Sequence, residues 1–147
     1  MRRSNDFAIV FLICVLLLSG CTKKQSFSVY SYPILPGTKE WTELDGHGAM
    51  LDACQLPEEW LKADTASLLA CVLTYPLLAD AFTSSILGEN PVDVLVPDFN
   101  GMAELLRRDD MTQIAKEFDI DAITFSEDYQ KKIAQRILTL LQSYPNQ

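Results

Sequence analysis

Histidine is almost missing from this chain: one residue, His47, stands among 147. A Ser-His-Asp relay would have to use it as base, and no Gly-x-Ser-x-Gly elbow presents a nucleophile to it. Set between Gly46 and Gly48, with no cysteine or carboxylate at ligand spacing, it is a poor metal set and reads as a solvated or capping side chain. Glycine is scarce too, at six, and none of the six forms a phosphate-cradling loop. Positive charge is thin: 12 Lys and Arg face 20 Asp and Glu, for a formal net charge of −8. Such a surface disfavours nucleic acid and does not attract anionic lipid headgroups. The apolar run from Phe7 to Leu18 is short: as a helix it spans only ~18 Å, against ~30 Å of bilayer hydrocarbon. These absences leave no metal, no cofactor and no catalytic constellation to expect, and the chain reads as a non-enzyme.

What that short run does have is flanks. Arg2 and Arg3 precede it, and the small residues Ser19 and Gly20 follow, the order of a secretory signal. Leu18-Ser19-Gly20-Cys21 matches a bacterial lipobox, in which small residues let the chain enter the peptidase extended and the Cys21 thiol receives a diacylglyceryl group. An ordinary signal with a chance cysteine and a retained anchor are the weaker readings. The expected organisation is a signal peptide over 1–20, a lipidated cysteine and tether over 21–37, and a helical domain over 38–147. Two or three acyl chains, at ~0.8 kcal/mol per buried CH₂, suffice for stable anchoring. The expected location is therefore export, with lipid attachment to the extracytoplasmic face of a membrane.

Cleavage before Cys21 removes Arg2, Arg3 and Asp6, leaving about 127 residues with a net charge near −9, one domain's worth of chain. From Thr22 to Gly37 the tether is first polar, then carries Pro33 and Pro36, which deny helix. Fully extended it would reach ~50 Å at ~3.3 Å per residue. Its aromatic part (Phe27, Tyr30, Tyr32) is too apolar for a pure linker. It reads as lying across the domain surface, with a recognition segment for a partner as the rival.

Beyond Gly37 the punctuation is helical. Asp45 is placed to cap a helix beginning at Gly46, and Pro57 with Glu58 and Glu59 makes a favourable start for another. Asp64 or Thr65 opens a helix through Tyr75 that is apolar nearly all round and so belongs at the centre. Pro76 ends that helix and begins the next, up to Leu87. Asn90 caps a long helix to Arg108, with Pro97 expected to kink or break it. Asp110 and Gln113 resemble a capping box. Ser126 starts the longest helix, with Tyr129, Ile133, Ile137, Leu140 and Leu141 as its buried stripe and Lys131, Lys132, Gln135 and Arg136 outside. No stretch alternates like a strand. The fold class expected is all-α: one compact domain of about six or seven helices behind an irregular N-terminal tether.

Two blocks are familiar. Cys54-Gln55-Leu56-Pro57 leading to Tyr75-Pro76-Leu77, and Phe99-Asn100-Gly101 leading through Glu104-Leu105-Leu106 to Arg108, resemble an uncharacterised group of secreted bacterial proteins, mostly from Gram-positive lineages. With Tyr32 to Trp41 the likeness covers most of the expected mature chain. Members of the group commonly carry Met-Ser-Thr before the central helix, where this chain has the shorter Asp64-Thr65. The resemblance implies export; it implies no chemistry.

The remaining candidates are few. Cys54 and Cys71 have two readings: a disulfide closing about 18 residues, worth roughly 3 kcal/mol on a loop-entropy argument, or two buried thiols. The second is preferred, because Cys71 falls in the most apolar helix, where a thiol behaves as a small hydrophobe. Trp41 and Trp60 are either core residues or a binding surface for a sugar or peptide. The acidic stretch from Glu117 to Asp128 lacks the glycine and spaced oxygens of a calcium loop and reads as caps and solvated acids. The functional expectation is a non-catalytic helical interaction module, held at the membrane by acyl chains on Cys21, with an envelope protein or peptide as partner and no nucleic acid. The rival is a small envelope enzyme or enzyme inhibitor that uses a groove between helices.

Overall fold

A computed structural model describes residues 26–84 and 88–145, side chains excepted at Ser84. Cys21 and the lipobox residues Leu18, Ser19 and Gly20 lie outside the described residues. Within them there is no strand. The helices are α1 (Lys39–Thr42), α2 (Gly46–Ala53), α3 (Glu58–Leu61), α4 (Thr65–Leu73), α5 (Asp80–Ser84), α6 (Pro91–Asp98), α7 (Asn100–Leu105), α8 (Met111–Glu117) and α9 (Asp128–Gln142), with a 3₁₀ turn at Ile120–Ala122.

The all-α class holds, but among the described residues there are nine α-helices rather than six or seven. One of the additions, α1, is a single turn held by a cap, in which Thr38 Oγ1 accepts from the Trp41 N–H; the expected helix after Pro57 is present as the single turn α3. A further one arises where the expected long helix splits. The break falls at Phe99, which is extended at φ −136°, ψ 113°, two residues after Pro97. Pro97 forfeits only its own bond, since the Phe99 N–H still reaches the Leu95 carbonyl at 2.9 Å.

The reason for the split is what Phe99 and Asn100 do there. Phe99 is fully buried and stacks on Tyr75, with ring centroids 3.9 Å apart and planes 14° off parallel. The Asn100 side chain accepts from the Leu56 N–H and donates to the Leu56 carbonyl, both at 2.9 Å. In return Gln55 Oε1 accepts from the Asn100 N–H at 2.9 Å, and Gln55 Nε2 donates to the Asp98 carbonyl at 2.8 Å. Gly101 completes the joint: a Cβ there would lie 2.5 Å from Phe99 Cζ and 2.8 Å from Leu56 Cδ1. The stretch Gln55–Leu56 and the stretch Asp98–Asn100 thus meet as a structural clamp.

Helix α4 runs through the centre, as its composition predicts. Every residue from Thr65 to Leu73 is buried, and its ends and flanks are satisfied. Asp64 caps it through the Ser67 N–H at 3.0 Å and the Ser67 hydroxyl at 2.7 Å. Burial pushes the Asp64 carboxyl up, but these hydrogen bonds outweigh it and hold the group below its ordinary value. Asp110 makes no cap bond of its own; its carboxylate accepts from the buried Thr65 hydroxyl at 2.7 Å, tying α8 to α4. Pro76 does stop α4, yet the next helix begins only at Asp80, after a turn in which the Leu78 N–H bonds the Tyr75 carbonyl.

Helix α9 covers α4 and α8 with Ala134, Ile137, Leu138 and Leu141, while Ile133 and Leu140 pack at the margin. Tyr129, expected in that stripe, is 58% exposed. It sits in the first turn, before the helix has come down onto the core. Arg136 lies over the Phe82 ring, 4.3 Å from its centroid.

Candidate functional site

The N-terminal segment enters the fold as extended chain stitched along α4. The Ser28 N–H donates to Ser67 Oγ at 3.0 Å, the Tyr30 N–H to Cys71 Sγ at 3.3 Å, and the Tyr32 hydroxyl to the Cys71 carbonyl at 3.1 Å. Tyr32 is only 6% exposed, so burial drives its phenol far above the ordinary range, with Cys71 and Tyr75 adding to the effect. Phe27 packs on Phe118 at 4.9 Å between ring centroids, and Tyr30 on Tyr32 and Trp60 at 4.9 and 5.5 Å. The segment is anchored on the Ser67 hydroxyl, the Cys71 thiol and the Cys71 carbonyl of α4, of which the hydroxyl also donates to Asp64 and the carbonyl also accepts from Thr74.

Because this segment lies beside the start of α9, a groove opens between them. It holds about 650 Å³ and is walled by Tyr30, Leu35 and Pro36 on one side and by Phe125, Tyr129 and Ile133 on the other, with Tyr75 and Leu78 among the remaining lining residues. Val29, Leu35 and Tyr129, at 40%, 46% and 58% exposure, are the large exposed apolar side chains of the described residues, and all three line this groove. Thr124, Ser126, Glu127 and Gln130 give it polar atoms. The Ser126 hydroxyl is engaged with Gln130 Oε1 at 2.8 Å.

A smaller cavity of about 250 Å³ lies across Tyr75 from the groove, between α2, α5 and α6. His47 Nε2 stands 3.8 Å from Asp80 Oδ2, and Asp98 shares the lining. Burial raises the Asp80 carboxyl above its ordinary value; the nearby Asp98 charge adds to this and His47 opposes it. No family model, no curated protein and no solved structure matches the chain.

The residues singled out from sequence are dispersed. Trp41 and Trp60 are half-buried against the core and line neither cavity. Cys54 and Cys71 are both free and buried, and no disulfide joins them. Burial pushes each thiol up to about 11, the Tyr30 N–H drawing Cys71 slightly back. His47 is solvent-facing, but it neighbours a carboxylate 33 positions along the chain that no spacing rule could have paired with it. No group of three His, Cys, Asp or Glu among the described residues could hold a metal ion, and no described helix is long and apolar enough to cross a membrane. The groove was missed in the sequence because its walls come from residues 29–36, 73–79 and 124–133, and only folding brings them together.

Proposed function

We propose that this chain is an exported lipoprotein, anchored through Cys21, whose helical domain is a non-catalytic module that binds an extended apolar segment of an envelope protein in the groove beside α9. The observation that carries the reading is the gathering of Val29, Leu35 and Tyr129 on one concave surface. Scattered exposed apolar residues need no explanation; a cluster lining a groove of ligand-binding size does. An extended segment suits it better than a helix, because the groove's polar residues Thr124, Ser126, Glu127 and Gln130 come from a loop and a first helical turn, where backbone partners can be met. The lipobox and the family resemblance support export. Net negative charge leaves the acyl chains, not the protein surface, to hold the membrane.

The test is site-specific photocrosslinking in native membranes. A benzoyl-phenylalanine at Tyr129 of the full chain should capture a discrete protein, and peptide mapping should place the adduct in one apolar segment. The same probe at Lys116 on α8 should not. Leu35→Asp with the probe retained should abolish the product. Adducts only to lipid, or equal capture from both positions, would remove the reading.

A further inference from the structure

The segment from Ser28 to Tyr32 has the makings of a strand but no strand partner. It is extended, and Val29, Tyr30 and Tyr32 are β-branched or aromatic, the residue types that sheets favour. Among the described residues there is no sheet for it to join. In extended chain, the backbone polar groups of successive residues point to opposite edges. The N–H groups of Ser28 and Tyr30 both turn toward α4, onto Ser67 Oγ and Cys71 Sγ. Those of Val29 and Ser31 therefore turn to the other edge, together with their own carbonyls. Neither the N–H nor the carbonyl of these two residues has a hydrogen-bond partner among the described residues.

A free strand edge is a template for another chain, and folds ordinarily blunt it with lysine, proline or a covering element. This edge is poorly blunted. No charged residue stands between Lys24 and Lys39, and Val29 and Ser31 are both exposed. Pro33, next on the same edge, has no N–H and ends the pairing there. Beside the edge lies the groove: Val29 and Ser31 line one wall, and Phe125, Tyr129 and Ile133 line the other. A strand laid in it would bond through its backbone to the first wall and rest alternate side chains on the second. Charge then distinguishes one end of the ligand. Glu127 is the sole charged residue lining the groove among the described residues, and its carboxylate makes neither an ion pair nor a cap bond there.

We propose that the Val29–Ser31 edge is an acceptor strand, and that the envelope segment taken up by the groove binds as an added β-strand with a lysine or arginine beside Glu127. This rests on the groove being the binding site, and it states how the ligand is held and what sequence it carries. The ligand is a short run of alternating apolar residues, free of proline on its bonded edge, with a basic residue at one end. A helix has no backbone groups to spare for such an edge, since its own turns consume them.

The test uses the full chain in phosphatidylcholine nanodiscs and a blocked heptapeptide of alternating valine and threonine with a lysine at each end. The peptide should bind, and amide hydrogen exchange at Val29 and Ser31 should slow ~10-fold or more. N-methylating one alternate set of its amides should weaken binding ~10-fold, as loss of backbone hydrogen bonds does, while methylating the other set should be tolerated. Ser31→Pro, which removes only a free N–H from the chain, should weaken the peptide to a similar degree; the methylated peptides decide the matter on the unaltered chain should that variant loosen the segment. Glu127→Gln, or glutamate in place of the terminal lysines, should weaken binding about 2–5-fold. A peptide that binds and is lost with Leu35→Asp, yet leaves both amides exchanging freely and tolerates either methylation, would overturn strand addition while the groove reading stands. Absence of peptide binding would overturn it as well, and slowed exchange in discs holding two copies without peptide would assign the edge to a second copy instead.

Discussion

Gln55 and Asn100, 45 positions apart, each use a side chain to satisfy the other's local backbone: Gln55 Oε1 takes the Asn100 N–H, and Asn100 takes both polar groups of Leu56. Four hydrogen bonds at 2.8–2.9 Å, counting the one from Gln55 to the Asp98 carbonyl, join the end of α2 to the α6–α7 break. Removing either partner strands backbone groups of the other in a half-buried place. Asn100→Ala and Gln55→Ala should each cost about 2–3 kcal/mol, and the double variant clearly less than their sum, since one network is lost only once. Urea midpoints for the four chains of the cycle check this. Additive losses would mean that the bonds act independently.

Gly101 sits in the same joint. Gly101→Ala gains helix propensity of ~1 kcal/mol but forces a methyl to within 2.5 Å of a ring that Tyr75 holds from the far side. Overpacking should win, for a net loss of about 1–3 kcal/mol in chemical denaturation. A stabilised variant would show that the Phe99 ring yields freely.

The buried thiols set a pH dependence. Unfolded chain releases thiol protons near the ordinary value of 9.0, whereas folded Cys54 and Cys71 keep theirs to about 11. Between those values the unfolded state holds fewer protons, so stability should fall as pH rises through that window. Tyr32 and Tyr75, both raised by burial, extend the fall at its upper end. Denaturant midpoints taken from pH 8 to pH 11 should drop steadily; a flat profile would argue against protonated buried thiols. At pH 8, iodoacetamide should leave the Cys54 and Cys71 peptides unlabelled until guanidinium is added.

Cys21→Ala tests the anchor. Metabolic labelling with an alkyne fatty acid should mark the parent chain and not the variant, and the variant precursor should stay uncleaved. A variant that still takes up label would place the acyl group elsewhere.

Local features were readable in the sequence and distant ones were not. Asp64 and Asn90 cap α4 and α6 as their residue types predict, and the apolar composition of α4 marks it as the centre. Asp110 misled because its carboxylate had a better offer from Thr65, a residue of another helix. Tyr129 misled because helical spacing says which residues share a face, not where along a helix the core begins. The groove, the Tyr75 cavity and the Gln55–Asn100 clamp unite residues 30 to 100 positions apart, and no period or spacing encodes such meetings. Gln55 and Asn100 stand in plain view in the sequence, yet only the fold joins them as a clamp.

The stitching of Ser28, Tyr30 and Tyr32 to α4 also shortens a leash. Of the ~50 Å that the stretch from Thr22 to Gly37 would span if fully extended, the part from Ser28 to Tyr32 is bonded to α4, and the five residue steps from Cys21 to Ser26 can reach at most ~17 Å at ~3.3 Å per residue. On the proposed anchor the domain is therefore held almost against the bilayer, within about its own radius. It searches a thin layer rather than a deep one, which favours targets seated in the same membrane plane. On that anchor, a pull from the membrane would load the Phe27–Phe118 contact and the three hydrogen bonds along the central helix.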